Sequence, residues 1–221
     1  MQLKKTYLAA ALMIAASLPS QAELISSDYL SEGDSLAALD TETGLEWLSL
    51  SETNGMSIND ALDAINGGKL DGWRLPTQDE VTTLLDSVFE DISFSDETTL
   101  YTTSYSSSSA SYDDTNHWLT HIGEAYTTSE RSWSYAFVDG EAVTLTGVFI
   151  QNGTVSIFRN FTHNDYSVDY SNNGQGIFLV SDGGLTYSSR NGVADVPLPL
   201  APMALGLIFL PWARARMAQK K

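Results

Sequence analysis

His117 and His121 stand four residues apart, the spacing at which two imidazoles share one face of a helix and often serve as a pair of zinc ligands. Glu124 could add a carboxylate. Trp118, not glutamate, follows His117, so the His-Glu-x-x-His pattern of zinc peptidases is missing, and the neighbouring sequence has no clear helical period. The metal reading is therefore carried as the minor one, beside an ordinary surface pair. Asp165, Asp169 and the Asn172-Asn173-Gly174 turn offer oxygen ligands of the kind calcium takes, or simply an acidic loop. His163, beside Asn164 and Asp165, adds less.

Catalytic signatures are otherwise absent. The chain has no Gly-x-Ser-x-Gly elbow, no phosphate-binding loop and no dinucleotide fingerprint. Its 28 acidic residues could supply a pair of catalytic carboxylates, but nothing in their spacing singles one out. There is no cysteine, which removes thiolate ligands, a cysteine nucleophile and any disulfide framework. No cofactor is expected, with calcium the one ion left open.

The elements that would position these groups are clearest between residues 41 and 89. Leu45 and Trp47 alternate with polar neighbours in strand fashion, and Asn54-Gly55 marks a turn. Ser57 and Asp60 then form a capping box ahead of Ile58, Ala61, Leu62 and Ile65, a stripe that ends at Asn66-Gly67-Gly68. Thr77 and Glu80 open a second helix, whose Val81, Leu84, Leu85, Val88 and Phe89 repeat at helical spacing. Leu75 and Val81 are expected to form a hydrophobic staple at its start. Arg74, one of few cations here, is expected to pair with a carboxylate and order the loop before that helix. Trp47 and Trp73 are read as core, since both sit beside periodic core positions.

Beyond Asp91 the periodicity fades. Thr102 to Ser111 is a Ser/Tyr-rich run and Asp113-Asp114-Thr115-Asn116 reads as a turn, so residues 91–131 are expected to form a long surface excursion. Strands resume over 133–138, turn at Asp139-Gly140, continue over 143–150, and return through an Asn152-Gly153 hairpin to 154–158.

Three blocks carry a family resemblance: Asp40 to Trp47, Ser57 to Ala64, and Gly72-Trp73-Arg74-Leu75-Pro76-Thr77 with Glu80. They resemble the bacterial Lcl C-terminal family, whose domains have a C-type-lectin-like fold. A related group closes on a Gly-x-Phe-Leu-Val strand, matched by Gly176-Ile177-Phe178-Leu179-Val180. The resemblance frames residues 40–182 and implies two helices, antiparallel strands and a long loop region. The calcium-and-sugar motifs Glu-Pro-Asn, Gln-Pro-Asp and Trp-Asn-Asp are absent, so calcium-dependent sugar binding is not implied.

The ends of the chain are built differently. Lys4 and Lys5, an apolar run from Tyr7 to Ala16, and small residues at Ser20 and Ala22 compose a secretory signal peptide over residues 1–22, cleaved between Ala22 and Glu23. All 28 acidic residues lie from Glu23 to Asp195 against five basic ones, a net charge of −23 for the body of a chain whose total is −17. Such a surface repels nucleic-acid phosphates and anionic lipid headgroups. From Leu198 to Ala213 there is no charge at all, and Arg214, Arg216, Lys220 and Lys221 follow. A short membrane helix with a cytoplasmic basic end fits this pattern.

Val196-Pro197-Leu198-Pro199, the apolar stretch Ala204 to Leu210, and Arg214 with Arg216 are similar to PEP-CTERM sorting signals of the Val-Pro-Leu-Pro variety. That resemblance implies handling by an exosortase and delivery to the cell surface or extracellular matrix. A plain C-terminal anchor is the alternative. The expected protein is α+β, with a signal peptide at 1–22, a lectin-like body at 23–195 and a sorting and transmembrane segment at 196–221. Its expected partners are the secretion machinery, signal peptidase, an exosortase and the membrane, and no nucleic acid. A non-catalytic recognition or matrix role is the first functional expectation, and an exported hydrolase with an unrecognised carboxylate or histidine site is the second.

Overall fold

The computed structural model describes residues 23–94, 100–109, 111–138, 143–162 and 166–192. The expected signal segment through Ala22, the expected sorting residues Val196, Pro197, Leu198, Pro199, Arg214 and Arg216, the expected turn at Asp139-Gly140, His163 and Asp165 lie outside them. Among the described residues no helix is long and apolar enough to cross a membrane.

The architecture is mixed α+β with two mainly antiparallel sheets. Strands β1 (Leu24–Ser27), β2 (Ala37–Asp40), β3 (Glu46–Leu48) and β10 (Val180–Ser181) form the smaller sheet in the order β1-β2-β3-β10. The larger sheet runs β4 (Leu100–Ser104), β8 (Thr154–Thr162), β7 (Thr144–Gln151), β6 (Arg131–Val138) and β5 (Tyr126–Thr127), with β9 (Gly176–Ile177) parallel to β6. The β7–β8 hairpin turns through Asn152 and Gly153, both at positive φ (50° and 74°), as a two-residue turn of that hand requires.

Both expected capping boxes are present. In α1 (Ile58–Asn66) the Ser57 hydroxyl accepts from the Asp60 amide and the Asp60 carboxylate accepts from the Ser57 amide. In α2 (Gln78–Val88) Thr77 and Glu80 do the same. Each cap satisfies amides that the first turn leaves unpaired, worth about 1 kcal/mol. Leu75 and Val81, however, join different apolar clusters, so α2 starts without the expected staple.

The larger sheet is covered on both faces. One face carries Ala136, Val138, Val148, Ile150, Val155 and Ile157 against Val81, Leu84, Leu85 and Phe89 of α2 and against Trp118 and Ile122. The other carries Tyr135, Phe137 and Leu145 against Ile58, Ala61, Leu70 and Trp73. The closing block threads between these clusters, sending Phe178 and Val180 to the first and Ile177 and Leu179 to the second. It is therefore not one strand. Its front half pairs with β6 and its back half with β3, and it sews the two sheets together.

Several expectations differ from the structure. The alternating strand around Trp47 has no wet face: Glu46, Trp47 and Leu48 are all buried, because β3 lies between both clusters, and a 3-10 turn follows at Leu50–Thr53. The stretch expected to be a loop contains β4 and a third helix, α3 (Tyr112–Ile122). Asp113 and Asp114 belong to the first turn of α3 rather than to a free turn, where negative side chains suit the helix dipole. Thr115, Trp118 and Ile122 form its buried stripe. A short fourth helix, α4 (Tyr187–Asn191), makes the helix count higher than the two expected.

Candidate functional site

Gly72 to Thr77 is used up in construction. The Arg74 amide donates to the Val180 carbonyl at 2.9 Å, and the Arg74 carbonyl accepts the reciprocal bond from the Val180 amide at 2.9 Å. Its guanidinium forks onto Glu80, with Nη1 to Oε2 at 2.9 Å and Nη2 to Oε1 at 2.8 Å, and reaches Asp182 Oδ1 at 2.6 Å. Arg74 thus ties the start of α2 to the end of the closing block. The hydrogen bonds from Arg74 hold the Glu80 carboxyl down at about 2. Trp73 is buried edge-on to Tyr29, ring centroids 5.3 Å apart, and Pro76 is also buried. Gly72 adopts φ +85°, and a Cβ there would run into the Leu185 side chain.

Trp47 is likewise core. It meets Phe178 edge-on at 6.1 Å, and Phe178 meets Trp118 at 6.2 Å. Neighbouring Glu46 is fully buried yet ionised in character. Burial pushes its carboxyl up, but the Ser189 and Thr186 hydroxyls and the Leu185 and Thr186 amides donate to it and outweigh that, leaving it below the usual range. Glu46 stood inside a motif block, but its role depends on residues about 140 positions away and has no local signal.

The histidine pair does share a helix face, contrary to the expectation of an irregular segment. The two rings are 4.3 Å apart, and His121 Nδ1 donates to the His117 carbonyl at 2.8 Å. Glu124 does not join them: past the helix end, it accepts from the Ser132 hydroxyl. Among the described residues no three His, Asp or Glu side chains group as a metal site. Asp169 accepts from Asn59 Nδ2 at 2.6 Å, fastening its loop to the first turn of α1. Gly174 donates to Asn54 Oδ1 at 2.9 Å, so the turn expected to line a calcium site is anchored to the chain around Gly55.

Among the described residues, two depressions are of similar size. The first, about 480 Å³, is lined by Glu23, Ser87, Val88, Glu90, Asp91, Asp114 and His117. Burial raises the Asp114 carboxyl, and the like charges of Asp91, Asp113 and Glu90 raise it further. Burial lowers the His117 imidazole, His121 lowers it more, and Glu23 opposes both. A carboxyl raised by burial and by like-charged neighbours is one ingredient of acid–base chemistry. Sequence reading missed this cleft because its members come from three separate segments: Glu23 ahead of β1, α2 with the residues just after it, and α3.

The second depression, about 470 Å³, lies where the Ser/Tyr-rich run meets the β7–β8 turn. Tyr105, Leu119 and Ile150 give it apolar surface, while Glu124, Glu130 and Arg131 give it charge of both signs. Tyr105 is held by its hydroxyl, which donates to Asn116 Oδ1 at 2.7 Å, and by its ring against Tyr112 at 5.1 Å. Its amide donates to the Gly153 carbonyl at 2.9 Å. The groove wall is therefore fixed to both the sheet and α3. Comparison with protein-family models, curated proteins and solved structures finds no match to this chain.

Proposed function

We propose that the chain is an exported, membrane-tethered or surface-sorted bacterial protein whose C-type-lectin-like body serves recognition or matrix building rather than catalysis. The groove at Tyr105 carries the recognition part of this reading. A fixed aromatic ring, two aliphatic side chains and charges of both signs in one concave surface suit a polar ligand with an apolar face, such as a glycan. The lectin-like reading is supported by the joining of its two sequence blocks, Gly72 to Thr77 and Gly176 to Val180, through Arg74. The address is supported by the sequence alone: six of the 11 basic residues lie in the two ends and every acidic residue lies between them.

A second reading, an exported hydrolase, is favoured by one observation, the raised Asp114 carboxyl in the acidic cleft. One experiment separates the two. The full-length chain is incubated with immobilised cell-surface polysaccharides, and both retention and released reducing ends are measured. The recognition reading expects retention that falls ~tenfold or more in Tyr105→Ala and Arg131→Ala, with nothing released. Release of sugar that Asp114→Asn abolishes would replace it with the hydrolase.

A further inference from the structure

We propose that two copies of this chain join edge to edge through β4, in antiparallel register about a two-fold axis at Thr102, so that their larger sheets become one. β4 is the outermost strand of its sheet, and among the described residues it pairs with β8 alone. Four of its five residues are exposed, Leu100 and Tyr101 among them. Its register with β8 runs without a bulge. The ladder continues through the Tyr105 amide bond to the Gly153 carbonyl, which fixes the alternation. Tyr101 and Thr103 therefore turn their main chain towards β8, and Leu100, Thr102 and Ser104 turn theirs outward.

Natural sheets blunt such edges with charge, proline, bulges or brevity. The other edges here are managed. β5 is two residues long, β10 is closed by the Arg74 bridge, and the chain just after β1 is tied to α4 through Tyr187 and Ser188. β4 has none of these devices, and no charged residue lies between Thr98 and Tyr112.

The absence of charge points to a second copy as occupant. A basic partner would be drawn to the carboxylate-rich surfaces of a body carrying −23. Two anionic bodies can approach closely only where neither presents carboxylates, and β4 is such a line. The strand is also self-complementary. With Thr102 opposite Thr102 of the second copy, Leu100 faces Ser104 and Tyr101 faces Thr103, giving about six main-chain hydrogen bonds and aromatic-to-β-branched side-chain pairs. Because residual repulsion between the bodies is screened by salt, association strengthens as ionic strength rises.

The chain has no cysteine of its own, so single introduced thiols report the register cleanly. Cα atoms of a directly opposed, hydrogen-bonded pair lie ~5.5 Å apart, inside the disulfide range, whereas two Ser104 positions would lie ~14 Å apart. Full-length Thr102→Cys, purified in mild detergent and mildly oxidised, should run as a cross-linked dimer, and Ser104→Cys should not. In the cysteine-free chain Thr102→Pro, which removes both central donors, should weaken dimerisation ~tenfold or more with unchanged circular dichroism. A monomeric parent chain, equal cross-linking by the two cysteines, or a dimer indifferent to Thr102→Pro would overturn the proposal. None of these results depends on whether the groove at Tyr105 binds a glycan.

Discussion

At the scale of single residues, Arg74 does the most. Its fork onto Glu80 and its reach to Asp182, 108 positions after it in the chain, join the start of α2 to the end of β10. Charge-assisted bidentate bonds of this kind are stronger than neutral ones, though exposure of Arg74 to solvent reduces their worth. Glu80→Gln should cost ~1–2 kcal/mol at neutral pH in denaturant unfolding. The pH dependence has a definite sign. Glu80 titrates at about 2 in the fold against an ordinary value of 4.5, so its contribution is whole above pH 4.5 and is lost as the pH falls towards 2. The gap between parent and variant should therefore close on the acid side. A gap that stays constant between neutral pH and pH 3 would show that the ion pair is not its source.

At the scale of elements, α3 is the instructive case. Its stripe of Thr115, Trp118 and Ile122 was written in the sequence, but serine and threonine dominate the approach to it and Ser111 makes no side-chain cap. The two helices that were legible, α1 and α2, carry capping boxes, which are local signals. α3 is instead held from outside. Trp118 is fully buried, its Nε1 donates to the Ser134 carbonyl at 3.0 Å, and its ring meets both Phe178 and Phe89. Trp118→Ala should cost ~3–5 kcal/mol, near the whole stability of many domains, whereas Trp118→Phe should retain much of the packing. Equal stability of parent and Trp118→Ala by thermal unfolding would mean that α3 is not part of the core. The closing block was misread for a related reason. Ile177, Phe178, Leu179 and Val180 are all buried, and an unbroken apolar run cannot say that its halves belong to different sheets.

At the scale of the whole molecule, charge is partitioned along the sequence, with every acidic residue lying between Glu23 and Asp195. The body hides two apolar clusters inside a surface where carboxylates outnumber cations, and α2 is fastened across β8 by Arg159, which forks onto Asp86 at 2.8 and 2.9 Å. What the sequence made legible here was the partition of charge, the helix caps and the Asn152-Gly153 hairpin, each encoded within a few neighbouring residues. The acidic cleft and the groove at Tyr105 were not legible, because each draws its lining from several separate segments. The central claim is that the acidic body is delivered across a membrane and leaves the leader behind. Sequencing the N-terminus of the chain recovered from the membrane and surface fractions of expressing cells tests it most directly: the account predicts a first residue of Glu23, and a chain recovered from the cytosol that still begins at Met1 would contradict it.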